Sequence, residues 1–155
     1  MRMTELKMIK ARCRAVKNSK TTPERIAAIE ALTEGLFSER EREVVLKALR
    51  HKKKRVRYAA AKKLVEAANS RVPLRLTREN YPLDELRRVA NNEEHPGRKQ
   101  AIMAMDLLHP ECESAEFLAN LVRCEQHRSP DVAITALKTW RKLIENRQTE
   151  CGKLH

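Results

Sequence analysis

Apolar residues recur at intervals of three and four along most of this chain, the spacing that places them on one face of an α-helix. The segment from about residue 4 to 17 shows the pattern with Leu6, Ile9, Cys13 and Val16. Seven later segments repeat it, so the periodicity predicts eight helices. With only 3 glycines and 6 prolines in 155 residues, the chain has few of the turns that hairpins need. We therefore predict an all-α protein.

Capping residues indicate where several of these helices begin and end. Thr22 followed by Pro23 predicts the start of the second helix, Gly35 its end, and Ser38 the cap of the third. Residues 69–81 contain proline and alternating apolar residues, which favours an extended connection; a loop of this length in such a fold is either functional or a simple insertion. The remaining predicted start signals are Pro82, Pro96, Ser114 and Ser129-Pro130.

The second helices of successive pairs align without gaps, which reveals an internal repeat. Intervals of 32, 41 and 35 residues separate the aligned positions, a spacing typical of stacked helical hairpins. We predict one domain over residues 1–146, with hairpins at about 4–35, 38–69, 82–108 and 113–146, and a flexible tail at 147–155. The aligned positions are Ala28, Ala60, Ala101 and Ala136; Leu32, Leu64, Met105 and Trp140 four residues later; and Arg25, Arg57 and Arg98 three residues before the first three alanines.

One of these helices resembles a known repeat family. The segment Val56-Arg57-Tyr58-Ala59-Ala60-Ala61-Lys62-Lys63-Leu64 resembles the inner-helix pattern Val-Arg-x-Ala-Ala-x-x-x-Leu of HEAT-like repeats, and Ser129-Pro130-Asp131-Val132-Ala133 does so more faintly. The resemblance implies a right-handed α-solenoid of about four HEAT-like hairpins, with the second helix of each pair on the concave side. It specifies architecture far better than function.

The chain departs from the family at one position. HEAT-like repeats often carry an aspartate six residues before the arginine, where this chain has Ser19, His51 and Asn92. The ladder of ion pairs between repeats is therefore not expected here. Arg57 either faces a partner or is solvated or paired in another way, and the sequence leaves these alternatives open.

Positive charge is concentrated in the first half of the chain. Residues 1–77 hold 21 Lys and Arg against 8 Asp and Glu, whereas residues 78–155 hold 12 against 13, so the net charge of +12 resides in the first half. This asymmetry predicts a polyanionic partner, with nucleic acid favoured over a membrane; the alternative is a solvated basic surface. The absence of any run of 18 apolar residues argues against a membrane span.

In a stack of hairpins, the turns within successive pairs lie along one edge. The first two of these turns carry lysines and arginines, the third carries Glu93 and Glu94, and the fourth carries Arg128. The second turn, at Lys52–Arg55, places four cations in the first turn of a helix, where the helix dipole disfavours them and favours anions. The candidate nucleic-acid-binding residues are Lys17, Lys20, Arg50, Lys52, Lys53, Lys54, Arg55, Arg57, Lys62, Arg71 and Arg75.

These residues favour contact with phosphates over contact with bases. Binding of unpaired bases depends on aromatic side chains, and Tyr58 is the one aromatic residue beside the basic cluster. We therefore expect a non-enzymatic module that binds the backbone of duplex DNA or structured RNA, or associates with ribonucleoprotein. The alternative is a protein–protein interaction scaffold that binds an acidic partner.

An enzymatic role is the weakest of the hypotheses. The sequence has no glycine-rich phosphate loop, nucleophile elbow or paired metal-binding carboxylates. Some HEAT-like proteins are alkylpurine DNA glycosylases, and the resemblance would assign their acid and tryptophan to Asp106 and Trp140; a tryptophan in the core is the preferred interpretation. No cofactor is expected.

A metal site and the cell compartment can also be examined from the sequence. The pairs His109/Cys112 and Cys124/His127 have ligand-like spacing, but a helix between them would hold Cys112 about 18 Å from Cys124, so no metal is expected.

Four cysteines without a hydrophobic secretory segment indicate reduced thiols in a cytoplasmic or nucleoid or nuclear setting. The basic N-terminus also suits a mitochondrial presequence.

Overall fold

Eight α-helices form the regular structure in a computed structural model of the chain, which describes residues 2–72, 76–77, 79–80, 82–108 and 113–153. No strand occurs in those ranges, so the prediction of an all-α protein with eight helices is confirmed. The helices are α1 (Met3–Asn18), α2 (Thr22–Glu30), α3 (Glu39–Ala48), α4 (Lys54–Asn69), α5 (Leu83–Asn91), α6 (Arg98–Leu107), α7 (Glu113–Glu125) and α8 (Pro130–Lys153).

The helices pack as consecutive pairs, and the pairs pack side by side. Each even-numbered helix contacts the odd-numbered helix before it, and it also contacts the next even-numbered helix, while α1 contacts α3. The core lies between these elements. Leu32, Leu64 and Met105, three of the four large residues at aligned positions, are buried there, and Trp140 packs partly buried against the same core.

Several predicted helix boundaries are confirmed, and others need correction. Ser38 caps α3 in a capping box with Glu41, Pro82 is the N-cap of α5, and α8 begins at Pro130. The cap of α2 is Thr21, one residue before the predicted Thr22, so Pro23 lies at the second helical position. Also, α2 ends at Glu30 and not at Gly35, and α8 continues to Lys153 through most of the predicted tail.

In the segment between α2 and α3, the backbone changes direction at a leucine with a positive φ. Leu36 has a φ of 47° and is fully buried, while the oxygen of Gly35 accepts a 2.7 Å hydrogen bond from the backbone N–H of Leu76. The long connection after α4 is thus bound to the first hairpin at Leu76, itself buried. Core burial at Leu36 outweighs the usual preference for glycine at positive φ.

Buried side chains from one hairpin hydrogen-bond to the free carbonyls at helix ends of the preceding hairpin. The ammonium of Lys63, in α4, donates to the oxygens of Glu30 and Leu32 at the end of α2, at 3.2 and 2.8 Å. His95 lies 2.9 Å from the oxygen of Leu49 through Nε2, and its Nδ1 accepts from the N–H of Gly97. These contacts require the Nε2–H tautomer of a neutral imidazole, and burial lowers the pKa of His95 accordingly.

The three aligned arginines also bond to carbonyls at turns. Arg25 donates to the oxygens of Val16 and Ser19, both at 2.7 Å, within its own hairpin. Arg98 donates to the oxygen of Ala90 at 2.9 Å and forms a 2.8 Å ion pair with Glu125 of the next hairpin. The hydrogen bond from Arg98 lowers the pKa of Glu125. The arginine positions therefore stabilise turns and junctions between helices.

Replacing Arg98 with methionine should destabilise the protein strongly. The substitution R98M leaves the Glu125 carboxylate, 5% exposed, without its cation and removes the donor to the oxygen of Ala90. Removing one partner of a buried pair typically costs 3–5 kcal/mol, so we expect a loss of about 3 kcal/mol in the free energy of unfolding, measured by urea denaturation. The neighbouring control K99M removes an exposed cation and should change it by less than about 0.5 kcal/mol. Equal effects of the two substitutions would contradict this role.

Candidate nucleic-acid interface

The basic cluster lies at the start of α4. The helix begins at Lys54, with Lys53 as its N-cap, so Lys54 and Arg55 lie in the first turn and Lys52 precedes it. This corrects the prediction that all four cations lie within the first turn. All four side chains are exposed, and none takes part in an ion pair within the described part of the chain.

The N-terminus of α4 has no side-chain cap and no acidic residue. Lys53 supplies no side-chain hydrogen bond, whereas Thr21 and Ser38 do so for α2 and α3. The N–H of Lys53 instead donates to Nδ1 of His51 at 3.1 Å. A first turn with free amides and unneutralised cations concentrates positive potential at this end of the helix.

The pKa of His51 responds to that positive potential. Burial lowers its pKa most, and the positive charges of four neighbouring cations, among them Lys52 and Lys53, lower it further. Protonation of the His51 ring would add one more positive charge beside these four cations, at a helix N-terminus with no acidic residue in its first turn. His51 is therefore neutral near pH 7, and its titration is a measure of the local field.

Arg50, the next predicted contact, is already paired. Its Nε and Nη2 atoms donate to the two carboxylate oxygens of Glu85, at 3.1 and 3.0 Å. Glu85 also accepts from Arg88; although burial raises the pKa of Glu85, the bonds from the two arginines outweigh it and the pKa is lowered. The guanidinium of Arg50 thus links the second hairpin to α5.

Arg57 donates to three backbone oxygens. The acceptors are those of His51 and Lys52 in its own turn, at 2.9 and 3.2 Å, and that of Glu94 in the next turn, at 3.3 Å. The sequence left open whether Arg57 faces a partner, is solvated or is paired within the chain. Its hydrogen bonds favour pairing within the chain, to backbone oxygens. Its contacts hold the backbone that carries the basic cluster.

The other predicted residues do not gather at a single surface. Lys17 and Lys20 are exposed at the turn between α1 and α2, and Lys17 lines a cavity that reaches His51. Lys62 lies on the same face of α4 as Arg55, and both line a cavity with Lys54 and Tyr58; the Lys62 ammonium is 5.8 Å from the ring centre of Tyr58. Arg71 is exposed beyond the far end of α4, about 22 Å along the helix from Lys54, and Arg75 lies outside the described residues.

The edge loses its positive character at the third turn. Glu93 and Glu94 are both exposed there, and Glu93 pairs with Arg128 of the fourth turn. The cations of the first two turns therefore end at a paired acidic segment.

A basic groove between α1 and α3 contains the predicted Lys17 together with cations that the sequence prediction did not include. It has a volume of about 330 Å³ and is lined by Lys10, Arg14, Lys17 and Arg40, with Glu43 as its acidic residue. A smaller cavity of about 210 Å³ continues from Lys17 past Lys47 to His51. We call the two together the α1–α3 groove. An offset of 30 residues relates Lys10 to Arg40 and Lys17 to Lys47, a signal that becomes visible once α1 and α3 are known to pack together.

The two residues considered for an enzymatic role, Asp106 and Trp140, both take part in contacts within the fold. The Asp106 carboxylate forms a 2.6 Å ion pair with Lys142, and Trp140 packs against the core.

Within the described ranges no three His, Cys, Asp or Glu side chains are placed to hold a metal ion; His109 and Cys112 lie outside those ranges. Burial raises the pKa of the Cys13 thiol. Every helix of the described ranges is too short or too polar to cross a lipid bilayer.

Comparison of the chain with protein-family models, with curated proteins and with solved structures finds no match. The resemblance to HEAT-like repeats thus depends on the repeat motifs described above. A function for the chain has to be inferred from its own charge and geometry.

The pKa of His51 should rise with salt concentration. Raising the salt from about 0.1 M to about 1 M shortens the Debye length from about 10 Å to about 3 Å and screens the surrounding cations. We expect the pKa to move toward its ordinary value of 6.5, with part of the depression remaining because burial is its largest cause. An NMR titration of the ring protons at both salt concentrations measures this. The more deeply buried His95 is the internal control, and an equal response of the two rings would contradict a local positive potential at His51.

Proposed function

We propose that this chain is a non-enzymatic HEAT-like module that binds nucleic acid through backbone phosphates, using the basic N-terminal half. Duplex DNA and structured RNA are its expected ligands, alone or within ribonucleoprotein. The observation that carries the proposal is the exposed cluster Lys52–Arg55, which stands at an uncapped helix N-terminus and has no ion-pair partner in the described residues.

The proposed architecture is a right-handed α-solenoid of about four hairpins. Its support is the packing of each even-numbered helix against the next, with α1 against α3. A stack of this kind is held together by neighbour contacts, and it leaves the turns within each pair along one edge. The turns that carry Lys17, Lys20 and Lys52–Arg55 then face the same partner.

The balance of charge supports a phosphate ligand. Cations with no carboxylate partner are free to replace the counterions of nucleic acid, and the released counterions drive binding. The cations that are paired, such as Arg50, Lys63 and Arg98, bond within the chain and contribute to its stability. The cations of the exposed cluster Lys52–Arg55 form no such ion pairs among the described residues, so a contribution to stability does not explain them.

The second candidate function is binding of an acidic protein segment. A cavity of about 480 Å³ on α4 and α6 is lined by Tyr58, Lys62 and Met103, and the exposed fractions of Tyr58 and Met103 are 40% and 44%. An exposed apolar surface beside a lysine suits an amphipathic helix with acidic flanks. Glu30 and Glu66 line the same cavity, which makes it a poorer site for a phosphate backbone.

Charge reversal at the cluster should remove most nucleic-acid binding. For the wild type we expect dissociation constants in the micromolar class for duplex DNA or RNA and a steep salt dependence, measured by fluorescence anisotropy over a salt series. The variant K52E/K53E/K54E/R55E should bind far more weakly, with a slope of log K against log salt that is smaller by about 3 to 4. Acidic residues at a helix N-terminus are favoured by the dipole, so a loss of binding would not come from unfolding.

The matched control reverses four exposed cations of the second half, K99E/R123E/K138E/R141E. Equal binding by the cluster variant and the wild type would remove the proposed site. Binding of neither duplex by the wild type would overturn the nucleic-acid proposal and favour the acidic protein partner. An assay of base release from alkylated DNA tests the enzymatic alternative directly.

A further inference from the structure

The α1–α3 groove carries a row of cations with no acidic partners. Lys10, Arg14 and Lys17 lie at spacings of four and three on α1, and Arg40 and Lys47 face them from α3. All five side chains are exposed, and none forms an ion pair within the ranges that the structure describes. Glu43 is the acidic residue that lines the groove.

We propose that the α1–α3 groove holds the phosphates of one nucleic-acid strand and leads that strand to the cluster Lys52–Arg55. The inference rests on the proposed nucleic-acid binding and adds the path of the backbone. It places the strand on α1 and α3 and brings it past His51 to the turn that carries Lys52 and Lys53.

Like charges at these spacings have an energetic cost. Two cations four residues apart on a helix destabilise it by roughly 0.2–0.5 kcal/mol, and Lys10 and Arg14 form such a pair. Packing α1 beside α3 adds two cations across the groove, Arg40 and Lys47, and one acid, Glu43. A bound polyanion would convert this repulsion into attraction, which a solvated surface would not.

The dimensions of the groove suit a short run of phosphates. Lys10 and Lys17 are separated by about 10 Å of helix rise. One strand of a duplex carries a phosphate about every 3.4 Å of its axis, so this length accompanies about three phosphates. The second cavity shares Lys17 and Val44 with the first and reaches His51, which makes the groove continuous with the turn before Lys52.

The cavity on α4 and α6 has less suitable chemistry for this ligand. The cavity on α4 and α6 contains Glu30 and Glu66 together with exposed apolar side chains. Carboxylates would repel phosphate, and Met103 offers it no hydrogen bond. Charge complementarity therefore favours the α1–α3 groove for nucleic acid and leaves the other surface for a protein.

Neutralising the groove while leaving the cluster intact tests the path. The variant K10Q/R14Q/R40Q removes three cations, so its slope of log K against log salt for a short DNA duplex should be smaller than that of the wild type by about 2 to 3. Its affinity at low salt should fall at least about tenfold. The control K99Q/K138Q/R141Q removes three exposed cations elsewhere and should leave both quantities near the wild-type values.

Backbone amide shifts on addition of the same duplex provide a second measurement that does not depend on a variant. Changes along residues 10–17 and 40–47 are expected in addition to those at 52–55. Changes confined to 52–55, or equal slopes for the groove variant and its control, would overturn the groove and leave the proposed function standing. A wild-type protein that binds no nucleic acid would overturn both.

Discussion

Free carbonyl groups at helix ends impose the constraint on which this arrangement of hairpins depends. The last carbonyls of a helix have no partner within it, and leaving one buried and unsatisfied costs about 1–3 kcal/mol. Here the donors come from the next hairpin: the Lys63 ammonium serves Glu30 and Leu32, and His95 serves Leu49. Gly97 permits a close approach at the same junction, because a Cβ there would lie 2.4 Å from that of Ala61. Neighbouring hairpins are thus joined by specific polar bonds as well as by apolar packing.

This constraint separates the cations of the chain into two populations. Buried or half-buried cations such as Arg57, Lys63 and Arg98 have their hydrogen-bond donors directed at carbonyls or a carboxylate of the chain itself. The exposed cations Lys17, Lys20 and Lys52–Arg55, and those of the α1–α3 groove, have no such acceptors among the described residues. The positive excess of the first half therefore arises from side chains that fold stability does not explain, and they form the two adjoining surfaces considered for nucleic acid.

Local features of the fold were predictable from sequence, and non-local ones were not. Helical periodicity, the capping box at Ser38 and the aligned core positions depend on residues within a few positions of one another, so they follow from the sequence pattern. The end of α2 depends instead on Leu36 entering the core and on the bond between Gly35 and Leu76, which lie far apart in the chain. The pairing of Arg50 with Glu85 spans 35 residues, and the groove between Lys10 and Arg40 spans 30. Such partners become visible only when the packing of the helices is known.

The contacts of Arg57 connect the stability of the stack to the candidate site. Its guanidinium holds the oxygens of His51 and Lys52 on one side and that of Glu94 on the other, so the turn before α4 is tied to the next hairpin. The backbone that carries Lys52, Lys53 and Lys54 is then ordered before any ligand arrives. Ordering a flexible basic segment would otherwise oppose binding, since each immobilised long side chain costs about 0.5–1.5 kcal/mol and backbone order adds to that. Arg57 thus orders the same turn that carries the candidate phosphate-binding lysines, and under the proposed function this order favours binding.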